Sequence, residues 1–315
     1  MLTFATFGRP IGCKVHSVGT ITEPGTISDL VADAVAAGYE ATPRLIRDWS
    51  EIGLLDYPTR RPAGKGHGSR PALYPASQRQ LFVTLLMKRA EGNGPRALAK
   101  IPVAIWVYWG DRWVPLRQVK RAMRTWLGDP RLSKRQARQT ARQILNQFDS
   151  AVATPAARRD LLEALAETGY TGRADFGQLE NALRRVFEPG GGTIRRAVGH
   201  PEAPLMTDSF VTGIRARLAG AARLKAGDIT DAEFYFARHV HLVAYADYAM
   251  NRHSYAALAP EGHPDMYEEV TAERALNEAC MHLLTTIGMN GLYPNGVEQF
   301  RHRPTPQIRF EMPQA

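Results

Sequence analysis

Thr42-Pro43-Arg44-Leu45-Ile46-Arg47-Asp48-Trp49-Ser50-Glu51-Ile52-Gly53-Leu54-Leu55 decides how the N-terminal part of the chain is read. Thr42 is a good N-cap, because its hydroxyl accepts one of the orphan N–H groups of the first turn. Pro43 falls at the first helical position, where its missing N–H costs nothing. Leu45, Ile46 and Trp49 share one face at helical spacing, and Arg44, Arg47, Asp48 and Glu51 take the other. Gly53 is placed to stop the helix, after which Leu54 and Leu55 return to the core.

Upstream, Thr26 or Ser28 can cap an earlier helix with Leu30, Val31, Ala34 and Val35 as its apolar stripe, closed by Gly38. Downstream, Tyr57 to Arg70 holds three Gly and two Pro, so it cannot be helical. That run carries Arg60, Arg61, Lys65 and Arg70 without an acid. Leu73-Tyr74 resumes an apolar segment, and Gln78 to Arg89 reads as a helix with Leu81, Phe82, Leu85 and Leu86 inward. Two short helices, a brief turn and a basic loop between returning segments describe a winged helix-turn-helix. Its second helix enters the major groove, and its wing tracks phosphate or reaches the minor groove.

These residues resemble the DNA-binding head of MerR-type regulators over about residues 26–91. Thr42 stands at the family's cap, Ile46 at its Leu, Arg47 at its Arg and Trp49 at its second aromatic. Gly53-Leu54-Leu55 matches the terminal triplet, and Arg60 or Arg61 followed by Tyr74 matches the wing. The turn from Gly38 to Thr42 is about two residues longer than the family's. The wing is longer too, ending Arg70-Pro71-Ala72-Leu73-Tyr74 rather than in a tight Arg-x-Tyr. The resemblance implies double-stranded DNA as partner and sequence-specific transcriptional regulation as function. Arg44, Arg47 and Asp48 are the expected major-groove residues, Thr42 at the helix cap is a further expected DNA contact, and Arg60, Arg61, Lys65 and Arg70 are the expected wing contacts. The alternative is an architectural or mobile-element factor, excisionase-like or partition-like, built on the same head.

At 315 residues the chain exceeds one average domain. Its 44% hydrophobic and 23% charged composition is that of a globular protein with a real core. Two cysteines, Cys13 and Cys280, form no CxxC pattern, which argues against a disulfide framework and fits a reducing cytoplasm. No N-terminal signal is visible, and the longest apolar run, Ile101 to Trp109, is too short to span a bilayer. The net charge of +9 is uneven: residues 42–90 sum to +6, residues 112–142 to +9 and residues 229–280 to −6. Such asymmetry is the footprint of a nucleic-acid reader joined to something else.

The expected fold class is therefore mainly α, a winged helix-turn-helix followed by an all-helical body. Residues 1–25 read as a loose arm, 26–91 as the DNA-binding domain, 92–189 as a basic helical domain and 190–315 as a helical dimerisation or effector domain with a Pro-rich tail. Pro102 is expected to prevent a clean helix through Ile101–Trp109, whose tryptophans read as core. Helices are expected over Pro115–Leu127, Ser133–Phe148, Pro155–Glu167 and Asp175–Phe187, with Thr168–Gly172 as a linker. The first two carry Arg117, Lys120, Arg121, Arg124, Lys134, Arg135, Arg138 and Arg142, a candidate second phosphate surface. Thr230-Asp231-Ala232-Glu233 is a capping box opening a long, broadly apolar helix to about Ala257. A second long helix is expected from about Asp265 to Ile287, then a Pro-rich and mostly irregular tail from Tyr293. With no sustained heptad, the coiled coil through which MerR-type proteins dimerise is missing. A homodimer would need another interface, and monomer stays open.

No enzyme is expected, and no cofactor or metal. Gly64-Lys65-Gly66-His67-Gly68-Ser69 lacks the spacing of a phosphate-binding Walker loop. His239 and His241 are two apart on a helix and point to different sides. His253, His263 and His282 would join them only through tertiary folding, and no HExxH is present. Crowded aromatics in the C-terminal helices, Phe234 to Tyr267, read as core or as the lining of a small-molecule effector pocket.

Overall fold

The computed structural model describes residues 21–62, 69–129, 131–148, 153–187, 207–256 and 271–306. It is mainly helical and divides into two compact units. The first runs to Gly128 and includes Thr271–Cys280; the second runs from Asp129 and includes Met281–Pro306.

The first unit opens with α1 (Ile27–Ala36) and α2 (Pro43–Glu51). Thr26 and Asp29 cap α1 reciprocally, and the Thr26 N–H holds the Asp29 carboxyl below its ordinary range. Thr42 caps α2 as expected, its hydroxyl accepting the Leu45 N–H at 3.2 Å. Gly38 and Gly53 follow the two helices at φ +81° and +79°, the left-handed region that glycine enters freely. The stripe of α1 is narrower than expected: Leu30 and Ala34 are buried, whereas Val35 is 68% exposed.

Strands β1 (Thr59–Pro62) and β2 (Ser69–Leu73) form an antiparallel hairpin, with Arg61 across from Arg70 and an irregularity between Thr59 and Arg61. Gly25 extends it by one bridge, exchanging both backbone hydrogen bonds with Tyr74. Then come α3 (Ala76–Ala90), α4 (Pro95–Leu98), α5 (Lys100–Trp109) and α6 (Leu116–Leu127). Leu81, Phe82, Leu85 and Leu86 of α3 are buried as the periodicity predicts, Phe82 edge-on to Trp49 at 5.6 Å. The expectation that Pro102 would break its segment fails. Pro102 lies in the first turn of α5, where a backbone N–H has no intrahelical acceptor anyway. Trp106 is core, and Trp109 is partly exposed. Helices α3 to α6 all fall in the first unit, whose N-terminal stretch runs past residue 91 to Gly128.

The second unit contains α7 (Lys134–Phe148), α8 (Pro155–Thr171), α9 (Phe176–Phe187), α10 (Thr207–Ala226) and α11 (Asp231–Ala256). After α12 (Ala272–Leu292) comes α13 (Pro294–Glu298). Helix α8 continues through the expected linker to Thr171 and stops at Gly172, φ +69°. Leu161, Leu165, Leu179, Leu183, Val186 and Val211 anchor a core shared by α8, α9 and α10. Between α10 and α12 the backbones are close: a Cβ on Gly288 would sit on the Ala216 carbonyl, and one on Gly220 on that of Leu284. The burial expected along α11 holds only for its first half, where Phe234, Ala237, Val240, Leu242 and Val243 are buried; Met250 is 71% exposed. The tail opens with the short α13 and continues without regular secondary structure to residue 306. Residues 265–270, the expected start of the last long helix, lie outside the described residues. Among those described, no helix is long and apolar enough to cross a membrane.

Candidate nucleic-acid interface

Helix α2 shows a clear division of faces. Ile46, Trp49 and Ser50 are buried, while Thr42, Arg44, Arg47 and Asp48 face outward. Arg44 is 90% exposed and only 3.8 Å from Asp48, itself 64% exposed. A pair this open in water contributes little stability, so neither side chain is committed to the fold. Arg47 lies near enough to act electrostatically on the Tyr74 phenol at the base of the hairpin, and burial raises that phenol above its ordinary value.

The hairpin places Arg60 and Arg70 in solvent, and Arg61 donates through Nε to the Pro71 carbonyl at 3.0 Å. Because Arg61 opposes Arg70, two cations share a cross-strand position, an arrangement that costs stability without an anion. Lys65 lies outside the described residues. The remaining expected contact residues are thus on one helix face and on the adjoining hairpin, which Ser50 Oγ and Tyr74 Oη join at 3.4 Å.

Helix α6 and a buried polar network hold α2 in place. Gly53 brings α6 so near that an added Cβ would lie 2.4 Å from the Ala122 nitrogen. From α6, Thr125 donates to the Ile52 carbonyl at 2.7 Å and Arg121 Nε to the Ser50 carbonyl at 3.1 Å. These donors satisfy carbonyls at the C-terminal end of α2, where a cation also suits the helix dipole. Asp56, buried just beyond, receives Arg117 at 2.5 Å and Arg121 at 3.2 Å. Hydrogen bonding to Asp56 raises the Arg117 pKa further. Buried glutamines complete the network: Asp56 N–H donates to Gln78 Oε1, Gln78 Nε2 to Gln118 Oε1, and Gln118 Nε2 to the Leu54 carbonyl, all within 2.9 Å. Arg117 and Arg121, part of the candidate phosphate surface, both pair with Asp56, Arg121 from a largely buried position and Arg117 from an exposed one. The one signal in the sequence was polar Gln78 and Gln118 standing at inward positions of apolar stripes.

Elsewhere the chemistry is sparse. His239 bonds Thr305 and the Phe300 carbonyl, and His241 faces His282 with Nδ1 atoms 3.2 Å apart. Burial, then the neighbouring His282, pushes His241 down to about 3. Cys280 is buried and its thiol pushed up, which removes it as a nucleophile. His263 lies outside the described residues, and among those described no three His, Cys, Asp or Glu side chains are grouped to hold a metal. No family model matches the chain, and neither a curated protein nor a solved structure matches it.

Proposed function

We propose that the first unit binds double-stranded DNA as a MerR-like winged helix-turn-helix and that the protein regulates transcription at specific sites. In this reading α2 is the recognition helix and the β1–β2 hairpin the wing. One observation carries it: the outward face of α2 and the hairpin beside it present Arg44, Arg47, Arg60 and Arg70, none held by a buried partner. Arginines of this kind suit bidentate contacts to guanine edges and to phosphate. Asp48 would accept from cytosine N4 or orient Arg44, and Thr42 would touch the backbone at the helix start.

Selection of random duplex DNA by the purified full-length protein tests the proposal. An enriched motif is expected. On that motif Arg44→Ala or Arg47→Ala should cost roughly 1–3 kcal/mol and relax preference at one base pair. Equal losses on motif and random duplex would remove the base-reading role. A steep salt slope with no motif would favour the architectural reading over the regulator.

A further inference from the structure

Among the described residues outside the first unit, helix α7 presents a charged surface of one sign. Residues 134–148 carry Lys134, Arg135, Arg138 and Arg142 and no acid. Ala137 and Ala141 face inward, almost fully buried. Arg135, Arg138, Gln139, Arg142, Gln143 and Asn146 are all exposed, at the spacing of neighbours on one helix surface.

Ordinary solvation does not account for this face. A helix that only meets water mixes both signs, gaining i,i+4 pairs and avoiding repulsion. Helix α8, packed beside it, does so with Arg158, Arg159, Asp160, Glu163 and Glu167. Within α7 some cations are engaged: Arg138 meets Glu163 at 2.9 Å, and Lys134 lies over the Tyr170 ring. Arg135 and Arg142 make no ion pair with any described residue. They stand two turns apart, about 10 Å along the axis, with exposed Gln139 and Gln143 between and beside them. Uncompensated arginines interleaved with glutamine donors fit a row of phosphates, which arginine binds by charge and glutamine by hydrogen bond.

We infer that α7 is a second DNA-contacting surface, one that grips the sugar-phosphate backbone of the duplex without reading bases. This rests on the DNA-binding reading of the first unit but places new contacts in the second. Each arginine that neutralises a phosphate adds about 0.9 to the slope of log affinity against log salt.

The test uses full-length protein on a random-sequence duplex, titrated between about 50 and about 200 mM salt. In Arg135→Gln/Arg142→Gln, glutamine keeps helix propensity and both sites are exposed, so unchanged circular dichroism and melting are expected. The slope should fall by nearly two, shrinking the salt-induced loss of affinity about tenfold. Arg44→Ala/Arg47→Ala is measured in parallel. An unchanged slope in the α7 variant, with a loss in the α2 variant, overturns the inference and leaves the first-unit reading standing. A reduced slope in the α7 variant with no α2 effect supports the inference and removes α2 as a DNA contact. Wild-type protein that fails to bind the duplex at any salt overturns both.

Discussion

Gly53 is where two constraints meet in one residue. Its φ of +79° excludes most L side chains, and Ala122 leaves no space for a Cβ. Gly53→Ala should therefore destabilise the first unit by about 2–4 kcal/mol, combining backbone strain with a steric clash; urea unfolding would measure it. Asp56 is the second such residue. Asp56→Ala strands Arg121 in a half-buried site, while Arg117, 65% exposed, is free to return to water. The expected loss is on the order of 2–3 kcal/mol, less than for a fully buried pair. Asp56→Ala should weaken cognate DNA more than random duplex, since it acts through the placement of α2, the proposed base-reading helix; equal loss on both would contradict that role.

Caps and helix ends govern the element scale. Thr42→Ala removes the acceptor for the Leu45 N–H and should cost about 1 kcal/mol, readable as a lower melting temperature. In the second unit the α11–α12 contact sets a pH response. His241 titrates near 6.5 when unfolded and at about 3 in the fold. The folded state thus binds fewer protons below pH 6.5. The stability is intact above that value and erodes as pH falls towards 3, by about 2 kcal/mol at pH 5. Urea midpoints at pH 7.5 and 5.0 should show this loss, and His241→Leu should flatten it. An equal acid loss in the variant would assign the effect to other groups.

At the scale of the whole molecule, the first unit depends on helices that follow α2 and the β1–β2 hairpin. A fragment ending at Glu91 would leave Asp56, Gln78 and the Ser50 and Ile52 carbonyls without their α6 partners. It should unfold at lower urea than a fragment ending at Gly128, because buried polar groups that lose partners cost about 1–3 kcal/mol each. Equal midpoints would mean that α6 is dispensable.

The chain's own order determined what local physics controls. Thr26, Thr42, Gly38 and Gly53 set helix ends because caps and left-handed turns act within four residues. Alternation of apolar and charged positions placed Ile46 and Trp49 inside and Arg44 and Arg47 outside, since helical periodicity is a property of neighbours. The tertiary structure alone decided which cations remain available. Arg117 and Arg121 look no different in sequence from Arg135 and Arg142, yet the first two close on Asp56 and the other two stay in solvent. The partner that consumes a charge lies about sixty residues away. Nothing in local spacing encodes a pairing at that separation, because it depends on how α6 packs beneath α2.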